Sequence, residues 1–340
     1  MTRRRTTFKI INTLVTPGHP CAASTIVTPT ELLSTARQDR LVEQCIEYQL
    51  NHEATTVIPP YLHLETADSG WIDVQAGLWL RTRRFLDLNG LRLPTLAVLA
   101  IGWRLLHHTS GVRALTPALN ALTELTPTEV GLAASKVHAG MHPDDRLTEL
   151  ILMIQLLRRQ HRVLAWQQGL LGEACVVAGA DGYETGIGQR ERCDLGQAMT
   201  NRRKPRAAET FGPRPVYVPA LKRAVPKDTL RKLRQHRDVW FRVLCNDHDC
   251  CAVGTQILDD ARSHAIFSRA RDLTALTEVH RTNWQWNRLA TETGAGLVLA
   301  QRINLLADRA GLYRVDTGAL SAIHAVSDVR RQQRRARHVA

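Results

Sequence analysis

Ala174-Cys175-Val176-Val177-Ala178-Gly179-Ala180-Asp181-Gly182-Tyr183-Glu184-Thr185-Gly186-Ile187-Gly188 reads as a short apolar strand, a Gly-Ala-Asp-Gly turn and a carboxylate on a glycine-softened loop. In a parallel α/β protein that order puts the carboxylate at the C-terminal end of a strand, where ligands bind and chemistry is done. The fold therefore turns on whether comparable runs recur along the chain.

They do. Short β-rich apolar runs are expected at Phe8–Val15, Thr55–Leu64, Thr95–Trp103, Glu129–Val137, Arg162–Gln167, Cys175–Ala180, Pro215–Ala220 and Val239–Cys245. Helical patterns lie between several of them. Thr30–Leu50 is entered through a cap-like Thr-Pro-Thr-Glu, and Val74–Leu88 carries apolar residues at about 3.6 spacing. Pro143-Asp144-Asp145 opens Arg146–Arg159 with an acidic first turn and a basic last one, and Pro226–Arg237 is a short basic helix. Continuously apolar runs suit strands buried on both faces. Eight of them, each followed by a helix or long loop, predict a (β/α)8 TIM-like barrel over residues 1–250. A doubly wound open sheet is the competing architecture, but no Gly-x-Gly-x-x-Gly follows the first run. Residues 251–325, with Thr255–Leu276 and Leu297–Ala310, read as a helical appendage, and 326–340 as a basic disordered tail.

Composition bounds the function. The chain has 340 residues, 44% of them apolar, which is enough for a sizeable core. Its apolar runs are too short to span a bilayer, so no membrane partner is expected. Arg3, Arg4 and Arg5 are not followed by the ~7–15-residue apolar region of a secretory signal, so a cytoplasmic protein is expected. Seven cysteines, an odd number without framework spacing, agree with a reducing compartment. Lys and Arg number 45 against 32 Asp and Glu, a net charge of +13 that favours polyanions, nucleic acid above all. An internal basic cluster, Arg202, Arg203, Lys204 and Arg206, is placed to hold phosphates.

On a barrel, polar residues just past each strand share one rim. Among them are His63, Glu65 and Asp68, then Lys136 and His138, Gln167 and Gln168, and finally Asp181 and Glu184. Carboxylates from different strands facing one cavity suit nucleophilic and acid/base chemistry at an acetal-like carbon. His138, Gln167 and Tyr183 are the candidate substrate contacts, Tyr183 being as readily a packing residue.

Three motifs, in order along the chain, resemble the tRNA-guanine transglycosylase superfamily, including its branch that modifies DNA. Asp68-Ser69-Gly70 is similar to the family's Asp-Ser-Gly motif, whose aspartate assists catalysis. Gly179-Ala180-Asp181-Gly182-Tyr183-Glu184 resembles its Gly-x-Asp-Met-Phe-Asp-like turn and sets Glu184 where the nucleophilic aspartate would stand. Cys245, Cys250 and Cys251, with His264 downstream, resemble its Cys-x-Cys-x-x-Cys zinc site closed by a histidine, with different spacing and His248 in reserve. Three thiolates and an imidazole satisfy tetrahedral zinc.

The resemblance implies a base-exchange glycosyltransferase acting on tRNA or DNA with a purine or deazapurine base. Glu184 would attack C1′, with Asp68 or Asp181 handling the protons, and Zn2+ would be structural. The alternative is a non-catalytic barrel scaffold that binds nucleic acid or a partner in a multi-protein defence or mobile-element system. A barrel hydrolase for a phosphorylated or glycosidic small molecule is a third possibility.

Overall fold

The structure, a computed structural model, describes residues 28–107, 109–187, 191–202 and 214–339. The expected first strand, Phe8–Val15, lies outside them, as do Arg203, Lys204 and Arg206.

A capped turn at Pro29–Leu32 leads into α1 (Thr35–Leu50). Five parallel strands follow: β1 (His63–Leu64), β2 (Leu96–Gly102), β3 (Glu129–Ser135), β4 (Arg162–Ala165) and β5 (Gly182–Tyr183). The helices between them are α2 (Trp71–Leu88), α3 (Ser110–Leu125), α4 (Pro143–Leu157) and α5 (Gly172–Ala178). The strands lie side by side in chain order, β1-β2-β3-β4-β5, with no reversal. Parallel crossovers are right-handed almost without exception, so steps in one direction lay the helices on one face.

Burial agrees with that geometry. Ala97, Leu99, Ile101, Leu132, Ala134 and Val163 enter the main core with the inward faces of α1 to α5. Their strand neighbours Leu96, Val98, Ala100 and Ala133 face the other way, into a smaller cluster closed by Cys193, with Trp166 and Leu195 packed on it. Both faces of β2 and β3 are thus buried, which is why their sequences are apolar throughout.

Two expected strands are helices. Cys175–Ala180 belongs mostly to α5, which ends at Gly179 in the left-handed conformation (φ 113°). The strand that pairs with β4 is Gly182–Tyr183, after the turn rather than before it. Val239–Cys245 falls largely in α8, described below, whose buried Val239, Trp240 and Val243 have helical spacing. Short apolar runs rich in Val do not distinguish the two states, and here the left-handed glycine and the i, i+4 burial decide for helix.

The chain continues through α6 (Leu195–Arg202), an antiparallel pair β6 (Val216–Val218) and β7 (Arg223–Val225), α7 (Lys227–Leu233) and α8 (Arg237–Val243). Three helices complete it: α9 (Ala261–Thr277), α10 (Thr282–Ala310) and α11 (Gly318–Val339). The last runs through most of the segment expected to be a disordered tail. Elements from β6 onward build a second core around Val216, Leu230, Ile257, Leu299 and Ile303. Among the described residues no helix is long and apolar enough to cross a membrane.

Candidate functional site

The register of β5 separates the two carboxylates of the Gly179–Glu184 turn. Asp181 precedes the strand. Its backbone N–H donates to Val163 O (2.7 Å), and its Oδ2 accepts from Val163 N (2.8 Å) at the start of β4. Arg162 Nε lies 3.9 Å from the same carboxylate. Asp181 therefore closes the N-terminal edge of the sheet. Glu184 follows the strand, with its N–H on Ala165 O (3.0 Å) at the C-terminal end. Burial raises the Glu184 carboxyl above its ordinary range, while the N–H of Gln167 partly offsets this. Tyr183 between them packs on the main core, with its ring against Gly172.

Other rim groups gather at that same C-terminal end. Asp68 is exposed in the turn between β1 and α2, where Gly70 (φ 71°) sets the start of the helix. Lys136 and Gln167, immediately after β3 and near the end of β4, both hold left-handed backbones (φ 63° and 56°), an unusual conformation for side chains of their kind. Segment 191–195 crosses these strand ends. Lys136 N donates to Cys193 O (2.8 Å), Leu195 N to Ser135 Oγ (3.2 Å) and Leu170 N to Glu191 O (3.2 Å). Lys136 Nζ stands 3.9 Å from Asp194 Oδ1. The charge of Glu184 reaches Cys193, and that of Asp194 reaches His63 and His138. The structure thus places Asp68, His63, His138, Gln167 and Glu184 toward the C-terminal ends of the strands, with β1 and β5 at the two edges of the sheet, and leaves Asp181 at the opposite end. His138 is buried beside the start of α11 and is held neutral, its pKa lowered to about 4 by desolvation first and by Arg192 next. Arg202 is the last residue of α6.

The metal-ligand candidates converge. Cys245, Cys250, Cys251 and His264 offer ligand atoms all within 4.8 Å of one another, and three of the four residues are buried. Cys250 Sγ is 3.9 Å from Cys251 Sγ and 3.3 Å from His264 Nδ1, and Cys251 Sγ is 3.6 Å from the same nitrogen. Bonds of about 2.3 Å to sulfur and 2.0 Å to nitrogen make tetrahedral edges of roughly 3.8 Å (S···S) and 3.5 Å (S···N), close to these separations. His264 Nε2 lies 2.9 Å from Tyr217 O and donates to it, which leaves Nδ1 unprotonated toward the thiols. Burial pushes the metal-free Cys251 thiol up to about 12. Metal entry must therefore displace protons. This set can hold a metal ion such as zinc. His248, the reserve ligand, is placed with Nδ1 3.4 Å from Ala252 O.

No protein-family model, curated protein or solved structure matches the chain.

A buried charge network that the sequence reading missed joins the metal centre to the rim. Five residues past His264 on α9, Arg269 donates to Gly169 O (3.0 Å) and to Glu191 Oε1 (2.5 Å), with its guanidinium 4.1 Å from the Tyr217 ring centroid. Glu191 also accepts from Ala224 N (2.8 Å). Beside it, Lys222 Nζ meets Glu173 (3.1 Å), Glu292 (2.8 Å) and Asp272 (3.6 Å). Desolvation opposes the Lys222 charge, but these carboxylates and Tyr217 outweigh it and raise its pKa. The available signal was the buried stripe of α9, where His264, Ser268 and Arg269 interrupt an otherwise apolar face.

Proposed function

We propose that the protein is a nucleic-acid base-exchange glycosyltransferase on a (β/α)8 barrel, with Glu184 as nucleophile and Asp68 handling protons. The observation that carries this reading is the register of β5, which brings Glu184 out at the end of the sheet where Asp68 leaves β1. Consecutive strand order, with helices packed on one face, supports continuation into a barrel. There the edge strands β1 and β5 would face each other across the lumen. Asp181 is not given a catalytic role, because its carboxylate is engaged by Val163 at the opposite edge.

The Glu184 carboxylate attacks C1′ of the target nucleotide, and the glycosidic bond breaks with its electron pair passing to the leaving purine nitrogen. Asp68 delivers a proton to that nitrogen. The incoming purine or deazapurine then loses its ring proton to Asp68 and attacks C1′, releasing Glu184 with net retention. Because a base inside a duplex is unreachable, the nucleotide must leave its stack. Exposed Trp284 suits that task better than Trp286, which is buried under Arg330. The net charge of +13 supports a polyanionic substrate, tRNA or DNA, held by salt-sensitive phosphate contacts. Zinc on Cys245, Cys250, Cys251 and His264 would be structural, since four protein ligands leave no open position.

The test is incorporation of labelled purine into tRNA or duplex DNA by wild type and by Glu184→Gln. The substitution should lower incorporation on the order of 10³-fold while nucleic-acid binding is retained. Incorporation that survives it removes Glu184 from the mechanism. Tight, salt-sensitive binding without incorporation by wild type favours the scaffold alternative, to which the glutamate in the nucleophile position and the altered cysteine spacing already lend weight.

A further inference from the structure

The exchanged base must be held as well as attacked, and β1 carries a group suited to holding it. His63 pairs with Ala100 of β2, and Ala100 with Ala133 of β3, so the strand side chains level with it are small. The histidine is 1% exposed, yet neither ring nitrogen finds a hydrogen-bond partner among the described residues. Buried polar groups in native proteins are nearly always paired, so an imidazole whose Nδ1 has no partner and whose Nε2 has only a 3.4 Å approach to Glu65 Oε2 can take a hydrogen-bonding ligand.

Its surroundings define the ligand. His63 Nε2 is 3.4 Å from Glu65 Oε2, and Glu65 Oε1 is 3.9 Å from Arg104. Asp194 and Lys136, themselves 3.9 Å apart, act on the ring from the side of β3. Burial lowers the His63 pKa to about 4, so the ring is neutral and offers one donor and one acceptor rather than a charge. Each carboxylate stands beside a cation, Glu65 by Arg104 and Asp194 by Lys136, so the surroundings carry no excess positive charge to attract a phosphate. Among the described residues the ligand-type cluster able to surround a metal ion is the cysteine centre, not this one. A flat neutral heterocycle with N–H donors beside ring-nitrogen or carbonyl acceptors fits both the imidazole and the carboxylates.

We propose that His63 is a specificity-determining contact of the rim, hydrogen-bonding the polar edge of the exchanged base while Glu65 and Asp194 accept from its N–H groups. This rests on the base-exchange reading of the same rim. It gives the imidazole on β1 a substrate class, on the strand that leads into the Asp68 turn.

The experiment titrates full-length protein carrying ¹⁵N-labelled histidine with hypoxanthine, the His63 signals being those lost in His63→Gln. On saturation the His63 nitrogens should shift while those of His264 stay in place. Hypoxanthine affinity should fall at least tenfold in His63→Phe and less in His63→Gln, which keeps a donor and an acceptor. Silent His63 signals, with hypoxanthine bound elsewhere or not at all, overturn the proposal. Purine incorporation with an unchanged KM for the base in His63→Phe also overturns it and leaves Glu184 in its role. Hypoxanthine bound at His63, with no incorporation into any nucleic acid, upholds the contact and removes the exchange reaction.

Discussion

Asp181 and Glu184 are three residues apart, and extended backbone sets them about 10 Å apart along the strand direction. From the sequence both look like carboxylates on one loop after a strand. With β5 at Gly182–Tyr183, one precedes the strand and the other follows it. Asp181→Ala should therefore behave as a stability variant. It strips Val163 N of its side-chain acceptor, a cost of about 1–3 kcal/mol, while purine incorporation by the folded protein stays near wild type. Urea unfolding and labelled-base incorporation, run on one preparation, check both halves. A catalytic loss comparable to that of Glu184→Gln would return Asp181 to the mechanism. The residue types were legible because carboxylates beside glycines are conspicuous. Their separation was not, because it depends on a two-residue strand with no periodicity of its own.

At the scale of elements, β2 and β3 announce themselves because burial on both faces demands seven consecutive residues with little polarity. The apolar stretch at 175–180 carries the same composition for a different reason: α5 is short and almost wholly buried, so no polar face betrays its helical period. A similar ambiguity hides the continuity of α10. Gly294 and Gly296 suggest a break, but Gly296 is there because a Cβ would come within 2.5 Å of Ala220 O. Close approach also explains Gly172 in α5, where an added Cβ would stand 2.2 Å from the Tyr183 ring. Gly172→Ala must push that ring away, and with it the strand that presents Glu184. The expected result is a loss of roughly 1–3 kcal/mol in unfolding free energy, accompanied by reduced incorporation in the protein that remains folded. Thermal melts together with single-turnover incorporation measure this. Full activity at normal stability would show that Tyr183 does not position the nucleophile.

Across the whole molecule, the two hydrophobic cores share α9 and α10, whose Leu276, Trp286 and Leu289 pack in the first and Ala261, Leu299 and Ile303 in the second, and the metal centre lies within the second. His264 anchors the first turns of α9 to the cysteine loop and to Tyr217, while Arg269 on the same helix reaches Gly169 and Glu191 at the rim. The four ligand-type residues were legible in the sequence and do converge. The bridge beyond them was not, since an ion pair 78 positions apart and a hydrogen bond to a backbone carbonyl 100 positions away leave no local pattern. If zinc fills the centre, its removal has two consequences on different scales. The second core loses a crosslink among Cys245, Cys250, Cys251 and α9, which should lower Tm by roughly 4 °C, as expected for about 3 kcal/mol in a chain of this size. The rim should loosen as well, because α9 no longer fixes Arg269. Chelator-treated protein should then exchange the backbone N–H groups of Lys136, Leu170 and Leu195 faster, well before global unfolding. Elemental analysis should find about one zinc per chain in untreated protein and little in Cys250→Ser. A zinc-free preparation that melts and exchanges hydrogen like the untreated protein would show that the cluster is buried cysteine packing, with α9, α10 and the Lys222 and Arg269 networks holding the two cores together without a metal.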